Sequence, residues 1–588
     1  MFRRAARSRR HSLAGLIVLT AASACGGSRA AAPVTPATAG GTRSGSIDLP
    51  ANEAFTRAVS RGTRTTTGAP GPRYWQQWTD YRLEAELNPI SKRLTGRGSL
   101  TYQNRSPDVL SEVYVQLLHN LFAPGARHNT DVPWSVEGVE LNRVAAQGQE
   151  LKPSEEEAVG YEVDGTIMRI RLSRPIPSGG SAGLEFAWRL RVPPDGAPRG
   201  GQDGEAYFIS YWYPQMAVYD DLNGWQIDQY LGNAEFYMGY GSYDVSLTLP
   251  EGWLVSATGK LTNPAQVLSE QTRARLDSAS RGSGIVRVVT ETDRSAGTST
   301  ATGTNGKLTW RFRADSVRDV SWATSSKYLW DATNAAVGDA NSDGKPDSAA
   351  IHAFYRPELR ASHWDKSARY SRHSVAFFSR FILPYPYPHM TAVDGPASCG
   401  GMEFPMMTCI GGQWDTLGLY EVTTHEIGHM WFPMLVGSDE KRHAWMDEGL
   451  TQFDQSQAMD DFFKGFDDED AIAGITSASP RPEARSSSCG TATAIHRMGR
   501  MAWPATTSLP PFSWHSEGLS AKRSSTGRTA STRRAGSISI LLRTISLTRS
   551  KTFPARISPG SGAAGYSRPG SWIRPSTRFS PSATPWRS

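Results

Sequence analysis

Cysteine is scarce, with four residues in 588, so no disulfide framework carries the fold. Cys399 and Cys409 flank a short apolar segment, and a pair of buried thiols is favoured over a bond between them. No apolar run is long enough for a membrane-spanning helix. The N-terminal one, Leu13 to Ala22, falls well short. Acidic residues are almost missing from the C-terminal stretch: residues 481–588 hold 15 Arg and 2 Lys against only Glu483 and Glu517. The remainder has 46 basic and 54 acidic residues, so the net charge of +7 conceals an acidic main body. That balance argues against nucleic-acid binding as the main function. Tyrosine is also absent, between Tyr420 and Tyr566.

The opening MFRRAARSRR is a cationic leader, and with the short apolar run it reads as an export signal. It closes on Ala22-Ser23-Ala24-Cys25-Gly26, which resembles a bacterial lipobox despite Ala22 at the usual leucine position. Lipid attachment at Cys25 is therefore expected, with the protein anchored to the membrane of a bacterial cell envelope. The Gly/Ala/Ser/Thr/Pro-rich residues that follow read as a flexible tether, and with them residues 26–73 are expected as a linker. From Tyr74 to about Phe312, short alternating runs such as Tyr81 to Leu87 and Ile167 to Leu172 predict an antiparallel β-rich domain. The aromatic stretch from Tyr211 to Tyr237 is either sandwich core or a substrate-facing wall. Asp339, Asn341, Asp343 and Asp347 place oxygens at alternate positions, as Ca²⁺ loops do. Ala350 falls where a closing carboxylate belongs, so a solvated turn is the favoured reading.

Chemistry enters at His425-Glu426-Ile427-Gly428-His429. Histidines at i and i+4 project from one helix face, so both imidazoles reach one metal about 2 Å away. Glu426 lies one residue round the turn, placed to take a proton from a metal-activated water. Glu448, in Trp445-Met446-Asp447-Glu448-Gly449, completes a His₂Glu set for Zn²⁺ and leaves a fourth position open, the mark of a catalytic site. The motif helix is expected from about Val422 to Val436, bent by Pro433 and stopped by Gly437, and Trp364 to Ile382 suits another helix.

Together with Gly400-Gly401-Met402-Glu403-Phe404, the segments HEIGHMWFPMLVG and WMDEGL resemble the aminopeptidase N (membrane alanyl aminopeptidase) family of gluzincins. The likeness covers roughly residues 75–475. It implies an α+β chain in which a β-rich N-terminal sandwich or saddle domain (74–315) precedes a thermolysin-like, mainly helical zinc peptidase domain (316–475). It implies one Zn²⁺ held by His425, His429 and Glu448, with Glu426 as general base. Gly401, Met402 and Glu403 would bind substrate, Glu403 anchoring the free α-amine of a peptide. Phe404 replaces the asparagine usual in that motif. Two rivals share these residues: a zinc endopeptidase, which has no need of Glu403, and a non-catalytic peptide-binding module.

The family places an oxyanion-stabilising tyrosine some tens of residues past the third ligand, within the tyrosine-free stretch. Beyond about Ile475 the chain is Ser/Arg/Pro/Thr-rich without hydrophobic period, and residues 476–588 are expected to be disordered. A one-base shift makes Trp503 to Gly518 compatible with GVASYDKPATVL-x-ALRG and Ser550 to Ser576 with EDVSGEDLAWFWRGWLFETGVLDQAI. Both resemble the family's helical continuation, and the first restores a tyrosine. The expectation is a reading-frame slip between about Ile475 and Pro480 that impairs activity. Resequencing codons 470–510 checks it; an unbroken frame, with tail peptides seen by mass spectrometry, rejects it.

Overall fold

The computed structural model describes residues 52–133, 135–195 and 197–464. Cys25, the export signal, most of the tether and the residues beyond 464, with the expected frame slip, lie outside them. The described chain is mixed α+β and rich in strands. Among the described residues, five helices exceed eight residues: α1 (Glu53–Arg61), α2 (Glu270–Arg281), α3 (Ser367–Phe381), α4 (Thr416–Gly428) and α5 (Glu448–Phe463). Helix α1 falls within the expected linker. Asn52 caps it by accepting from the Ala54 N–H, and Gly62 ends it in the left-handed conformation at φ 74°, where glycine pays no Cβ penalty.

An eight-stranded sheet forms the N-terminal part, with two four-stranded sheets beside it in the fold. Strict alternation produces it. In Trp78–Asn88 the side chains of Tyr81, Leu83, Ala85 and Leu87 are buried, and in Ser181–Arg191 those of Leu184, Phe186, Trp188 and Leu190. The sheet is not wholly antiparallel as expected, because Trp78–Asn88 pairs in parallel with Gly241–Pro250. These strands are far apart in sequence, so no turn dictates their direction. The Tyr211–Tyr237 stretch proves to be largely core: Trp188 donates to the Trp212 carbonyl at 2.7 Å, and Trp212 to that of Val320 at 2.9 Å. Both of these buried indole N–H groups thereby find an acceptor.

The second sheet has six strands in the order Val286–Val289, Leu329–Gly338, Asp347–Tyr355, His389–Asp394, Met407–Ile410, Gly401–Phe404. Its first strand comes from within 74–315. Helices α3, α4 and α5 pack together over this sheet. The hydroxyls of Ser374 and Thr424 meet at 2.8 Å between α3 and α4. The Tyr420 hydroxyl lies 2.7 Å from His373 Nδ1 and 3.1 Å from the Ala458 carbonyl, while His373 Nε2 lies 3.0 Å from Asp461 on α5. One polar chain therefore fixes three helices against each other.

Cys399 and Cys409 form a disulfide with Cα atoms 6.0 Å apart, correcting the expectation of two thiols. Spacing along the chain is silent here; the strand Met407–Ile410 folds back beside the turn at Ala397–Cys399, and Gly395 leaves room where a Cβ would overlap the Cys409 sulfur. The stretch 339–347 is a turn closed by its own backbone. Asp339 accepts from the N–H groups of Asp343 and Gly344, Asp343 from Lys345, and Asp347 from Ala340 and Asn341. These carboxylates serve the loop, as in the solvated-turn reading.

Three buried imidazoles titrate the fold. Burial holds His119 down at about 4 and His389 at about 4, and burial with the neighbouring His389 holds His352 at about 3. The unfolded chain takes up these protons near pH 6.5 and the folded chain does not, so this stability is complete above about 6.5 and lost as pH falls toward 4. The unfolding free energy read from urea titrations is expected to fall through that window, by on the order of 1.4 kcal/mol per pH unit for each histidine. His352→Phe should flatten the decline, and an unchanged acid limb in that variant refutes the assignment.

Candidate metal centre and acidic cleft

Helix α4 starts at Asp415, whose side chain accepts from the Gly418 N–H at 2.7 Å. It ends at Gly428 with His429 as its cap, well short of the expected Val436. Pro433 is the reason: it lacks an N–H and turns the residue before it away from helical geometry. The freed Phe432 carbonyl is used, since His429 Nδ1 donates to it at 2.9 Å. Gly428 lets α5 approach closely, as a Cβ there would press on the Thr451 methyl.

The structure brings His425, His429 and Glu448 together. His425 Nε2 lies 3.1 Å from His429 Nε2 and 3.0 Å from Glu448 Oε2, and His429 Nε2 lies 3.7 Å from the same oxygen. The edge of a tetrahedron with metal bonds of about 2.0–2.2 Å is about 3.3–3.6 Å, so these three donors fit Zn²⁺. The outer nitrogens are committed elsewhere: His425 Nδ1 to the Gln455 side-chain oxygen at 2.8 Å, and His429 Nδ1 to Phe432. Each imidazole thus turns its Nε2 toward the others. Glu448 opens α5 and Gln455 follows two turns later on the same face.

The electrostatics call for a cation. Burial opposes charge on His425, but its bond to Glu448 and the charges of Glu448 and Glu426 hold it up at about 9. Burial drives His429 down to about 3 and Glu426 up to about 8, despite the opposing pull of His425. Glu426 is 3% exposed and its Oε2 has no hydrogen bond among the described residues. Gly401 faces it, where a Cβ would overlap the carboxylate. The glycine before Met402 is therefore a space requirement of Glu426.

Glu403 lies on the edge strand and is 3% exposed. It belongs to a buried group with Glu235, Glu440 and Asp447 whose nearest oxygens lie within 4.8 Å of one another. Burial and the charges of Glu235 and Glu426 push its pKa well up. Glu235 pairs with Arg199 at 2.8 Å and Glu440 with Arg318 at 2.6 Å. Asp447 Oδ1 comes within 2.7 Å of His429 Nδ1 but off the direction of its proton, which points at Phe432. Glu403 has no hydrogen-bond or ion-pair partner among the described residues. Met402 accepts from Arg199 through its sulfur at 2.9 Å. Phe404 packs on Phe208 and Tyr211 at ring distances of 5.0 and 5.7 Å, so it is core.

Sequence reasoning missed Arg199, Glu235, Arg318, Glu440 and Gln455. Gln455 was findable, seven residues from Glu448 on one helix. Glu440 lies between His429 and Glu448 but in no motif, and Arg199, Glu235 and Arg318 come from distant segments.

Removing the Gln455 contact frees the His425 ring to change tautomer. Gln455→Ala is expected to weaken Zn²⁺ binding by about 10–100-fold, measured by competition with a chromophoric chelator; affinity equal to the parent chain contradicts that role.

No family model and no curated protein matches the chain. Solved structures similar to it include the M1 zinc metallopeptidase of Deinococcus radiodurans, 15% identical, with a TM-score of 0.42 over 68% of this chain and 73% of that one. A mutant M1 zinc metallopeptidase of the same organism, bound to a Tyr-Ser-Ala substrate, scores 0.43 at 15% identity over 68% and 74%. A two-domain M1 zinc metallopeptidase mutant bound to L-tryptophan scores 0.44 at 14% identity over 69% and 76%. At such scores the likeness carries no argument about chemistry, and the function has to rest on this chain's own side chains.

Proposed function

We propose that the chain is a zinc-dependent aminopeptidase. The supporting observation is the juxtaposition of the His425, His429 and Glu448 donor set with Glu403, a buried carboxylate without a hydrogen-bond or ion-pair partner among the described residues. Zn²⁺, when bound there, supplies a Lewis acid that polarises a carbonyl and brings the pKa of water to roughly 7. The chain's residues do the rest. Glu426, held up by burial, accepts the proton of the attacking water and delivers it to the leaving amine. Gly401 keeps room for that carboxylate. Glu403 receives the substrate's α-ammonium, so peptides with a free N-terminus are selected. Gln455 and the Phe432 carbonyl hold the two imidazoles in register. The oxyanion tyrosine implied by the family resemblance is absent from this stretch of sequence, and its loss is expected to reduce turnover by on the order of 10²–10³.

Cleavage of a free-amine dipeptide amide should exceed that of its N-acetylated form, and equal rates would rule out an aminopeptidase in favour of an endopeptidase. Glu426→Gln should lower kcat by at least about 10² while Zn²⁺ still binds. Glu403→Gln should raise KM for the free-amine substrate alone. Zn²⁺ binding with no turnover, even in a chain whose frame has been restored, would leave a peptide-binding module.

A further inference from the structure

The buried carboxylate group contains more negative charge than one ammonium can balance. Its two cations come from the N-terminal part of the chain: Arg318 is engaged by Glu440 and the carbonyls of Phe236 and Pro433, and Arg199 by Glu235. Arg199 reaches two partners with one nitrogen, Nη1, at 2.8 Å to Glu235 Oε1 and 2.9 Å to Met402 Sδ. It therefore touches the residue adjoining Glu403 on the edge strand. The backbone is bent to place it. Arg199 has φ 67°, followed by Gly200 at 151° and Gly201 at 138°, and a non-glycine residue in that region is uncommon and costly. Its carbonyl accepts from the Ser210 hydroxyl at 2.5 Å, and the neighbouring Asp195 and Ala197 accept from the Ser398 N–H and hydroxyl. Asp195 and Ala197 are thereby tied to the loop that leads into Glu403.

We infer that Arg199 is a positioning residue of the amine site: by neutralising Glu235 and holding Met402, it leaves the Glu403 carboxylate free of a protein cation and available to an ammonium ion. This rests on the aminopeptidase reading above. Glu235 does not itself take the amine. It acts as the counter-ion that keeps Arg199 from occupying Glu403. Like charges would otherwise share the site, and an unpaired guanidinium would compete with the substrate for the same oxygens.

Calorimetric binding to the zinc-loaded full chain separates the possibilities, with L-leucinamide as the amine probe and acetohydroxamic acid as a metal-directed probe lacking an amine. Glu235→Gln is nearly isosteric and frees Arg199, so it should weaken L-leucinamide by about tenfold and leave acetohydroxamic acid unchanged. Adding Arg199→Gln to that variant removes the competitor and should restore L-leucinamide binding. Glu235→Gln binding L-leucinamide like the parent chain overturns the inference. So does a double variant no better than the single one, which would make Glu235 the amine ligand, or equal loss of both probes, which would make the pair merely structural. A parent chain that binds N-acetyl-L-leucinamide as well as L-leucinamide refutes the aminopeptidase reading itself, a different result from any of these. Should the double variant not fold, Arg199→Lys in the Glu235→Gln chain takes its place. Its ammonium is unpaired too but cannot span Met402 and Glu403 together as a freed guanidinium would, and binding no better than in Glu235→Gln counts against the inference.

Discussion

Ionised carboxylates are expensive to bury unless a cation or a set of donors meets them, the penalty reaching several kcal/mol per ion. This chain buries Glu235, Glu403, Glu426, Glu440 and Asp447 beside the metal-type triad of His425, His429 and Glu448. Part of the surroundings answers that charge. Arg199 and Arg318 each answer one carboxylate, His425 answers Glu448, and the pKa values of the rest are forced upward by burial and by one another. A divalent ion at the triad and an ammonium at Glu403 would complete the balance.

The two sheets meet that constraint together. The six-stranded sheet and its helices carry the zinc-type donors, while the cations and Glu235 arrive from segments of the N-terminal β structure. Arg318 follows directly on the strand Lys307–Val317 and reaches the Pro433 carbonyl beyond α4. The edge hairpin is the hinge of this arrangement. Its disulfide joins Cys409 to the turn before Glu403, and Gly401 clears space for Glu426. A single short segment thus sets two carboxylates with different proposed tasks, one toward water and one toward an amine.

Much of this was legible in order along the chain. Alternation at Tyr81, Leu83, Ala85 and Leu87 announced a half-buried strand, and the i, i+4 histidines with Glu448 announced their donor set, because helix and strand periods fix which side chains share a face. The errors were of other kinds. The length of α4 was misjudged because an apolar run through Met430 to Val436 outweighed the veto of Pro433. The parallel pairing of Trp78–Asn88 with Gly241–Pro250 and the bond between Cys399 and Cys409 depend on strands returning from elsewhere. Segment 26–73 was read from its composition, which overlooked the Asn52 cap and Gly62 stop of α1.

The sequence by itself determined the chemistry of the metal donors and the glutamate beside them, since their spacing lies within one helix turn and the start of the next helix. Only the tertiary structure decided which charges surround them. Arg199 and Glu235, 36 residues apart, and Met402, 203 residues from Arg199, converge at hydrogen-bonding distance. Electrostatic balance is a property of distance through space, and no local pattern encodes it.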